Sequence, residues 1–419
     1  MDGSPFPGLD ALRPPELHRV RQAFPRPRVA DPAGAAIDQI RRPEVAATLD
    51  GARTAAVAVG SRGIRDLVPV VAATVAALRE RGIEPFIVPS MGSHGGGTAA
   101  GQEAVLAHLG VTEAAVGAPI RSSMGTRIVS SVRLPGGREV PLHVDALALE
   151  ADAIVPINRV KPHTGFRGPV ESGLCKMLAI GLGKHAGAAT LHREGYGAFD
   201  RLILEAGREI AARTPVAFGV AVVENAYEET AVVEAVPASG LVEGEQALLE
   251  RARELMPRIH VAQIDVLVVE RFGKDVSGIG MDANVTGRGE SGDALPGFDG
   301  PRIERIVVLD LTAATGGNAH GIGLADVITR RAYDRIDLQA TWINSVTSGS
   351  LACGRVPPAV EGDDRAIMAA ATAVPGIDPE TASVVRVRDT LSLTEIAVSG
   401  ALLEEAASHP DCELAGPWD

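Results

Sequence analysis

The chain has 419 residues, a length typical of two or three domains. Hydrophobic residues make up 46% and charged residues 22%, the balance of an ordinary globular protein. The net charge is −13 and no basic run stands out. This excludes nucleic acid as the main partner, because phosphate binding needs clustered positive charge.

The cysteines and the hydropathy further limit the class of protein to which the chain can belong. Cys175, Cys353 and Cys412 are far apart and odd in number, so neither a disulfide framework nor a structural zinc site is expected. No apolar run reaches the roughly 18 residues of a membrane helix. Residues 1–15 lack the basic end and apolar core of a signal peptide. The sequence predicts a cytoplasmic protein without a membrane partner, and it leaves open whether the chain forms a homo-oligomer.

The chain pattern predicts alternating strands and helices after a Pro- and Arg-rich segment, 1–50, that wraps over a domain surface. Apolar runs bounded by turn residues predict strands at 54–59, 84–88, 140–149, 153–157, 216–223, 230–236, 264–270 and 305–311. Capped periodic segments predict helices at 66–78, 98–109, 198–213 and 243–256. We therefore expect two α/β domains with mainly parallel sheets, residues 1–260 and 261–419, and an active site in the cleft between them.

Three glycine-rich or polar loops follow predicted strands. They begin at Gly60, at Gly92 and at Asn158. Because ligands gather at the carboxyl ends of parallel strands, these loops are expected to share one rim of a sheet. Arg62, in the first loop, suits an anion site, although the spacing is neither that of a P-loop nor that of a dinucleotide-binding turn.

Histidines and lysines concentrate in the third loop and beyond it. His163, Lys176 and His192 fall within one short segment, in a chain with only 10 histidines. Such a group suits proton transfer, metal binding or covalent capture of a cofactor, and the residues alone leave these alternatives open. His94, between glycines of the second loop, is a further candidate. Simpler interpretations exist for two of these residues. His163 could form a hydrogen bond within its own turn, and Lys176 could bury its aliphatic stem while its amine reaches solvent.

At these residues the chain resembles the lactate racemase family, whose members carry a nickel-pincer nucleotide. The family pairs a Gly-x-His motif with a second histidine, then has Ser-Gly-Gly-x-Lys and a histidine 16 residues after that lysine. This sequence has matching elements in the same order, and they are Gly92-Ser93-His94, His163, Ser172-Gly173-Leu174-Cys175-Lys176 and His192.

The resemblance implies a racemase or epimerase that inverts the α-carbon of a 2-hydroxy acid by proton-coupled hydride transfer. Lys176 would tether the cofactor, pyridinium-3,5-bisthiocarboxylic acid mononucleotide, and His192 would be a nickel ligand. His94 and His163 would exchange the hydroxyl proton on opposite faces of the substrate. Further cofactor contacts are expected from Ser61, Gly92, Ser172 and Gly173, and substrate contacts from Arg62, Asn284 and Arg288.

Departures from the family pattern predict a substrate other than lactate. The gap from His163 to Lys176 is 13 residues, about three longer than in lactate enzymes. A tyrosine, a glutamine and a lysine that follow Asp282-x-Asn284 in those enzymes are replaced here by Thr286, Gly287 and Glu290. Two alternatives are a hydroxy-acid oxidoreductase or lyase using the same site, and a non-enzymatic protein that binds the cofactor.

Overall fold

The structure, a computed structural model, describes residues 8–418. The strands of this part of the chain are β1 (Leu17–Gln22), β2 (Thr54–Val59), β3 (Glu84–Pro89), β4 (Thr126–Arg133), β5 (Glu139–Asp145), β6 (Ala153–Arg159), β7 (Phe218–Glu224), β8 (Thr230–Pro237), β9 (Gln263–Phe272), β10 (Arg302–Leu311), β11 (Val327–Thr329), β12 (Ala359–Val360), β13 (Val384–Val387), β14 (Glu395–Ser399) and β15 (Cys412–Pro417).

The helices of the same residues are α1 (Pro32–Arg41), α2 (Pro43–Ala46), α3 (Leu67–Glu80), α4 (Ala99–His108), α5 (Glu113–Val116), α6 (Leu174–Lys176), α7 (Lys184–His192), α8 (Phe199–Arg213), α9 (Leu241–Leu255), α10 (Ala283–Thr286), α11 (Arg330–Asp334), α12 (Leu338–Ser348), α13 (Asp363–Thr372) and α14 (Leu403–Ser408). A π-helical turn, Met177–Gly181, continues α6.

The chain divides into two compact units. One is Arg26–Met256, and the other joins Met1–Pro25 to Pro257–Asp419. The sequence placed residues 1–25 in the first domain, whereas β1 pairs with β14 and β15 at the other end of the chain. Only two of the six β1 residues are buried, so the strand carries little of the apolar pattern that would reveal it.

The unit Arg26–Met256 is built on a five-stranded sheet in the order β3-β2-β6-β7-β8. The first four strands are parallel and β8 runs antiparallel to β7. Along β2, Ala56 and Ala58 pack into one apolar cluster, and Ala55, Val57 and Val59 pack into another. The sheet is therefore covered on both faces, which is why its strands are almost continuously apolar. A separate hairpin, β4–β5, belongs to the same unit.

The second unit contains an eight-stranded sheet in the order β12-β11-β10-β9-β13-β14-β1-β15. Its strands from β12 to β13 are parallel, and the remaining pairs are antiparallel. Val266, Val268 and Val307 are fully buried in the cluster between this sheet and α13.

These features confirm the predicted α/β class with mainly parallel sheets. The strand predicted at 140–149 ends at Asp145, because Ala148–Glu150 forms a 3-10 turn. Among residues 8–418, no helix has both the length and the apolar character needed to cross a membrane. The cleft between two domains stays a prediction, as do the domain bounds.

Candidate functional site

The three loops predicted to share a rim come together at the carboxyl ends of β2, β3 and β6. A methyl group placed on Gly60 would lie 3.1 Å from Met177 Cε, 3.7 Å from Asn158 Oδ1 and 3.8 Å from the Ser90 carbonyl oxygen. Each neighbour belongs to a different segment of the site. Parallel pairing of β2 with β3 and β6 therefore brings all three loops to the turn that follows Lys176.

The loop after β3 carries His94 and is fixed to that same turn. Gly92 donates its N–H to the Gly181 carbonyl at 3.2 Å. Gly92 has a φ of +61°, and a methyl group there would lie 3.1 Å from Ile180 Cγ2, so this position requires glycine. His94 Nδ1 lies 2.5 Å from Ser61 Oγ, which joins the loops after β2 and β3. The His94 side chain is exposed, and the hydroxyl can either donate to it or accept from it.

A fully buried lysine supports the His94 loop through a chain of hydrogen bonds. Lys184 Nζ forms a 3.0 Å ion pair with Asp145, and neither side chain has any exposed surface. The same ammonium lies 3.3 Å from Gln102 Oε1 and also bonds the Pro89 carbonyl. Gln102 Nε2 in turn donates to the carbonyls of Gly92, at 2.9 Å, and His94, at 3.3 Å. The burial and pairing of Lys184 give it a structural role.

The loop after β6 is organised around the buried carboxylate of Glu171. Its Oε2 accepts the main-chain N–H of His163 at 2.6 Å, and its Oε1 accepts from Arg253 at 2.6 Å. Arg167 lies within 3.4 Å of the same carboxylate. Glu171 has no exposed surface, and these partners offset the free-energy cost of burying its carboxylate. The carboxylate thereby holds the loop in the conformation that buries His163.

The hydrogen bonds of His163 determine which ring nitrogen carries the proton. Gly165 donates its N–H to His163 Nδ1 at 2.9 Å, so Nδ1 is unprotonated and the neutral ring carries its proton on Nε2. Burial lowers the pKa of His163 well below its usual value, and the positive charges of Lys176, His192, Lys161 and Arg167 lower it further, in that order. His163 is therefore neutral at physiological pH.

His192 is the last residue of α7 and belongs to a cluster of rings. Its Nδ1 lies 2.7 Å from the Ala188 carbonyl, which can only accept, so Nδ1 carries the proton and Nε2 is the unprotonated nitrogen of the neutral ring. Its ring centroid lies 5.3 Å from Phe199 and 6.4 Å from Tyr196. Tyr196 also lies 5.8 Å from His163, so its ring contacts both histidines.

Lys176 is the last residue of the short helix α6. The N-terminal end of this helix donates a hydrogen bond to a second buried carboxyl group. Glu245 Oε2 accepts the Cys175 N–H at 2.6 Å, and burial raises the pKa of Glu245 to about 7. A methyl group on Gly173 would lie 2.3 Å from Glu245 Oε1, so this close approach requires glycine. The Gly173 carbonyl also accepts from Asn158 Nδ2 at 2.8 Å. Gly173 is thus explained by packing, and its predicted cofactor contact stays a prediction.

Replacing Lys176 by methionine should raise the pKa of His163. Lys176 is the largest of the positive charges that depress this pKa, and methionine removes the charge while keeping an unbranched side chain. Histidine-labelled NMR titrations of both proteins would measure the change. Lys161→Met is the matched control, and it should raise the pKa less because Lys161 contributes less. An unchanged His163 pKa in the Lys176→Met variant would contradict the inference that the charge of Lys176 acts on His163.

The remaining predicted residues lie in different surroundings. Arg62 is exposed in the loop after β2, and the main chain of Ser172 pairs with Lys161. In the second unit, Asn284 Nδ2 donates to Asp282 Oδ1 at 2.8 Å. The Arg288 guanidinium lies 2.6 Å from Asp326 and donates to the Leu324 carbonyl. Their substrate contacts stay predictions.

Sequence reasoning missed the groups that hold the site rather than form it. These are Asp145, Gln102, Glu171, Glu245 and Tyr196. Asp145 and Glu245 carry no local signal, because their partners Lys184 and Cys175 lie far away along the chain. Tyr196 could have been found: aromatic residues are only 3% of the chain, yet Phe166, Tyr196 and Phe199 fall within one short stretch beside the histidines.

Comparisons with known proteins agree with the fold. A family model described as a domain of unknown function, DUF362, matches residues 67–247, which include β3, β6 and the whole 158–192 segment. No curated protein matches the sequence. The structure is similar to that of the lactate racemase apoprotein from Thermoanaerobacterium thermosaccharolyticum, with a TM-score of 0.54, 12% identity, and coverage of 90% of this chain and 99% of that chain. At this identity the likeness establishes a shared fold across nearly the whole chain.

Proposed function

We propose that the protein is a racemase or epimerase of 2-hydroxy acids that uses a nickel-pincer nucleotide. The observation that carries the proposal is the position of His163 and His192 around the Tyr196 ring, whose centroid lies 5.8 Å and 6.4 Å from theirs, together with the charge of Lys176, which lowers the pKa of His163. His94 is held against the turn that follows Lys176 through Gly92 and Gly181. The fold shared with a lactate racemase apoprotein supports the same class of reaction.

The residues present fit the proposed cofactor. Lys176 is half-buried and is the last residue of a short helix, and its amine is of the chemical type that can form a covalent thioamide bond. The Nδ1 proton of His192 is donated to Ala188, which leaves Nε2 as the nitrogen for nickel. Lys161, Arg167 and Lys176 form a local positive charge in a chain of net charge −13, which suits a nucleotide phosphate and a carboxylate substrate. When bound, the cofactor would supply the acceptor for the hydride that leaves the α-carbon.

The two catalytic histidines begin the reaction in different states. His94 is exposed and its Nδ1 partner is a hydroxyl that can exchange roles, so His94 can accept the hydroxyl proton of one enantiomer. His163 is neutral and presents an Nε2–H, because Gly165 occupies its Nδ1. It can first donate a hydrogen bond to the substrate oxygen. To accept a proton from the other enantiomer at Nε2, His163 must give up the Gly165 hydrogen bond and move its proton to Nδ1.

Incubation of cofactor-loaded protein with single enantiomers of 2-hydroxy acids in deuterated water tests the proposal. Chiral chromatography should show inversion, and proton NMR should show hydrogen retained at the α-carbon, since the hydride never exchanges with solvent. Replacement of either His94 or His163 by alanine should lower the rate by about 10²–10⁴-fold, the usual contribution of a general acid or base.

The other outcomes identify the alternatives. A new keto acid or a cleavage product would replace the proposal with an oxidoreductase or lyase. Cofactor binding without turnover of any hydroxy acid would indicate a carrier. Full activity in both histidine variants would remove the assigned roles. His143→Ala is a matched control, because His143 lies in β5 and bonds Thr126 at 3.0 Å, and its loss should leave the rate nearly unchanged.

A further inference from the structure

Two histidines and an aspartate lie side by side in the unit that contains β9, and none of them belongs to the site described above. His260 precedes β9, His409 follows α14, and Asp411 precedes β15. One potential ligand atom from each residue lies within 4.8 Å of the others. The two imidazole rings are stacked, with centroids 4.1 Å apart and an interplanar angle of 24°.

One segment of the chain, residues 22–24 at the end of β1, holds this cluster in place. The His260 N–H donates to Gln22 Oε1 at 2.9 Å, and the His260 ring stacks on Phe24 at 5.4 Å. The Asp411 carbonyl accepts the N–H of Ala23 at 2.8 Å. The segment therefore contacts both His260 and Asp411. These contacts fix the positions of the two residues relative to each other.

The nitrogen atoms of the cluster are available to a cation. His260 Nε2 is buried and has no hydrogen-bond partner among residues 8–418, an arrangement that costs free energy unless something occupies it. His409 Nδ1 accepts the Asp411 N–H at 3.2 Å, so it is the unprotonated nitrogen of that ring. This contact is long, and a metal ion would readily replace it.

We propose that His260, His409 and Asp411 bind a divalent transition-metal ion, with zinc as the best match to the donor set. Two imidazole nitrogens and one carboxylate oxygen are typical zinc ligands, whereas calcium and magnesium prefer oxygen alone. Bonds of about 2.0–2.1 Å put tetrahedral ligands roughly 3.4 Å apart, so the ligand atoms would approach one another by no more than about 1.4 Å on binding, and the two stacked rings would turn so that the ion lies in the plane of each. The exposed Asp411 side chain is free to make that movement.

A metal ion here would join the segment before β9 to the turn between α14 and β15. Because it would bind the folded chain and not the unfolded one, it would raise the melting temperature. This effect is independent of the proposed racemase activity. A failure of one proposal would leave the other intact.

The test is a zinc titration of metal-free, full-length protein by isothermal calorimetry. The chain should carry His192→Ala, so that zinc bound near the proposed cofactor does not contribute. We expect one zinc site in the parent protein. Zinc binding should be lost in His260→Gln and in His409→Gln. In Asp411→Asn the dissociation constant for zinc should be at least about 10-fold larger. A zinc-dependent rise in melting temperature should disappear in the same variants.

His18→Gln is the matched control. His18 lies in β1 of the same unit, is half-buried, and is not part of the cluster. It should bind zinc as the parent does. Zinc binding that is unchanged in both His260→Gln and His409→Gln would overturn the proposal, and so would the absence of zinc binding by the parent at micromolar concentrations. If a variant is less stable, its binding can be measured well below its melting temperature.

Discussion

Replacing Lys176 by alanine should abolish covalent cofactor loading while leaving the fold intact. Lys176 is half-buried and is the last residue of α6. Its amine is the group proposed to form the thioamide. Activity should fall by at least about 10³-fold, since holding reactants in place accounts for about 7–11 kcal/mol in well-oriented systems. Intact mass after co-expression with the cofactor-synthesis enzymes would show the missing adduct.

Two variants separate tethering from charge. Lys161→Ala removes a lysine of the same segment that also lowers the pKa of His163, and it should keep the adduct. Lys176→Arg keeps the positive charge near His163 but should lose the adduct, because a guanidinium is a poor nucleophile. An adduct that persists in Lys176→Ala, or that maps to another lysine, would contradict the proposed tether.

The rim of the first sheet could be predicted because its signals are local. An apolar run such as Thr54–Val59, ended by glycine and followed by a capped helix, predicts a buried parallel strand and its loop, and the structure has that strand with the same bounds. Parallel pairing then puts the loops of β2, β3 and β6 together without further information. This is why the loops that begin at Gly60, Gly92 and Asn158 could be placed on one rim from the sequence.

The parts that escaped prediction depend on contacts between distant segments. Strand β1 is identified by its pairing with β14 and β15, not by its own alternation. Lys184 and His260 look like loop residues in the sequence, yet one is fully buried and the other has a buried nitrogen. The proton positions on His163 and His192 are set by the Gly165 N–H and the Ala188 carbonyl, which only the folded backbone reveals.

Replacing Lys184 by methionine should destabilise the protein by about 3–5 kcal/mol, because it leaves the Asp145 carboxylate buried without its counter-ion. The backbone at Lys184 has a φ of +53°, and methionine retains that conformational cost, so the change reports the side chain. Loss of the ammonium also frees Gln102, which holds the carbonyls of Gly92 and His94. Racemase activity should therefore fall even where the variant remains folded. Urea unfolding and rate measurements below the unfolding transition would separate the two effects.

Two comparisons identify the cause of that destabilisation. Adding Asp145→Asn should recover part of the lost stability, since it removes the unpaired charge and keeps an oxygen for the Leu147 N–H, which Asp145 Oδ1 accepts at 2.8 Å. Arg133→Met breaks an exposed ion pair with Glu139 and should cost less than about 1 kcal/mol. The double variant should regain stability without regaining activity, because Gln102 still lacks its ammonium partner. Recovery of both together would show that the charge of Asp145, not the position of the His94 loop, limits the reaction.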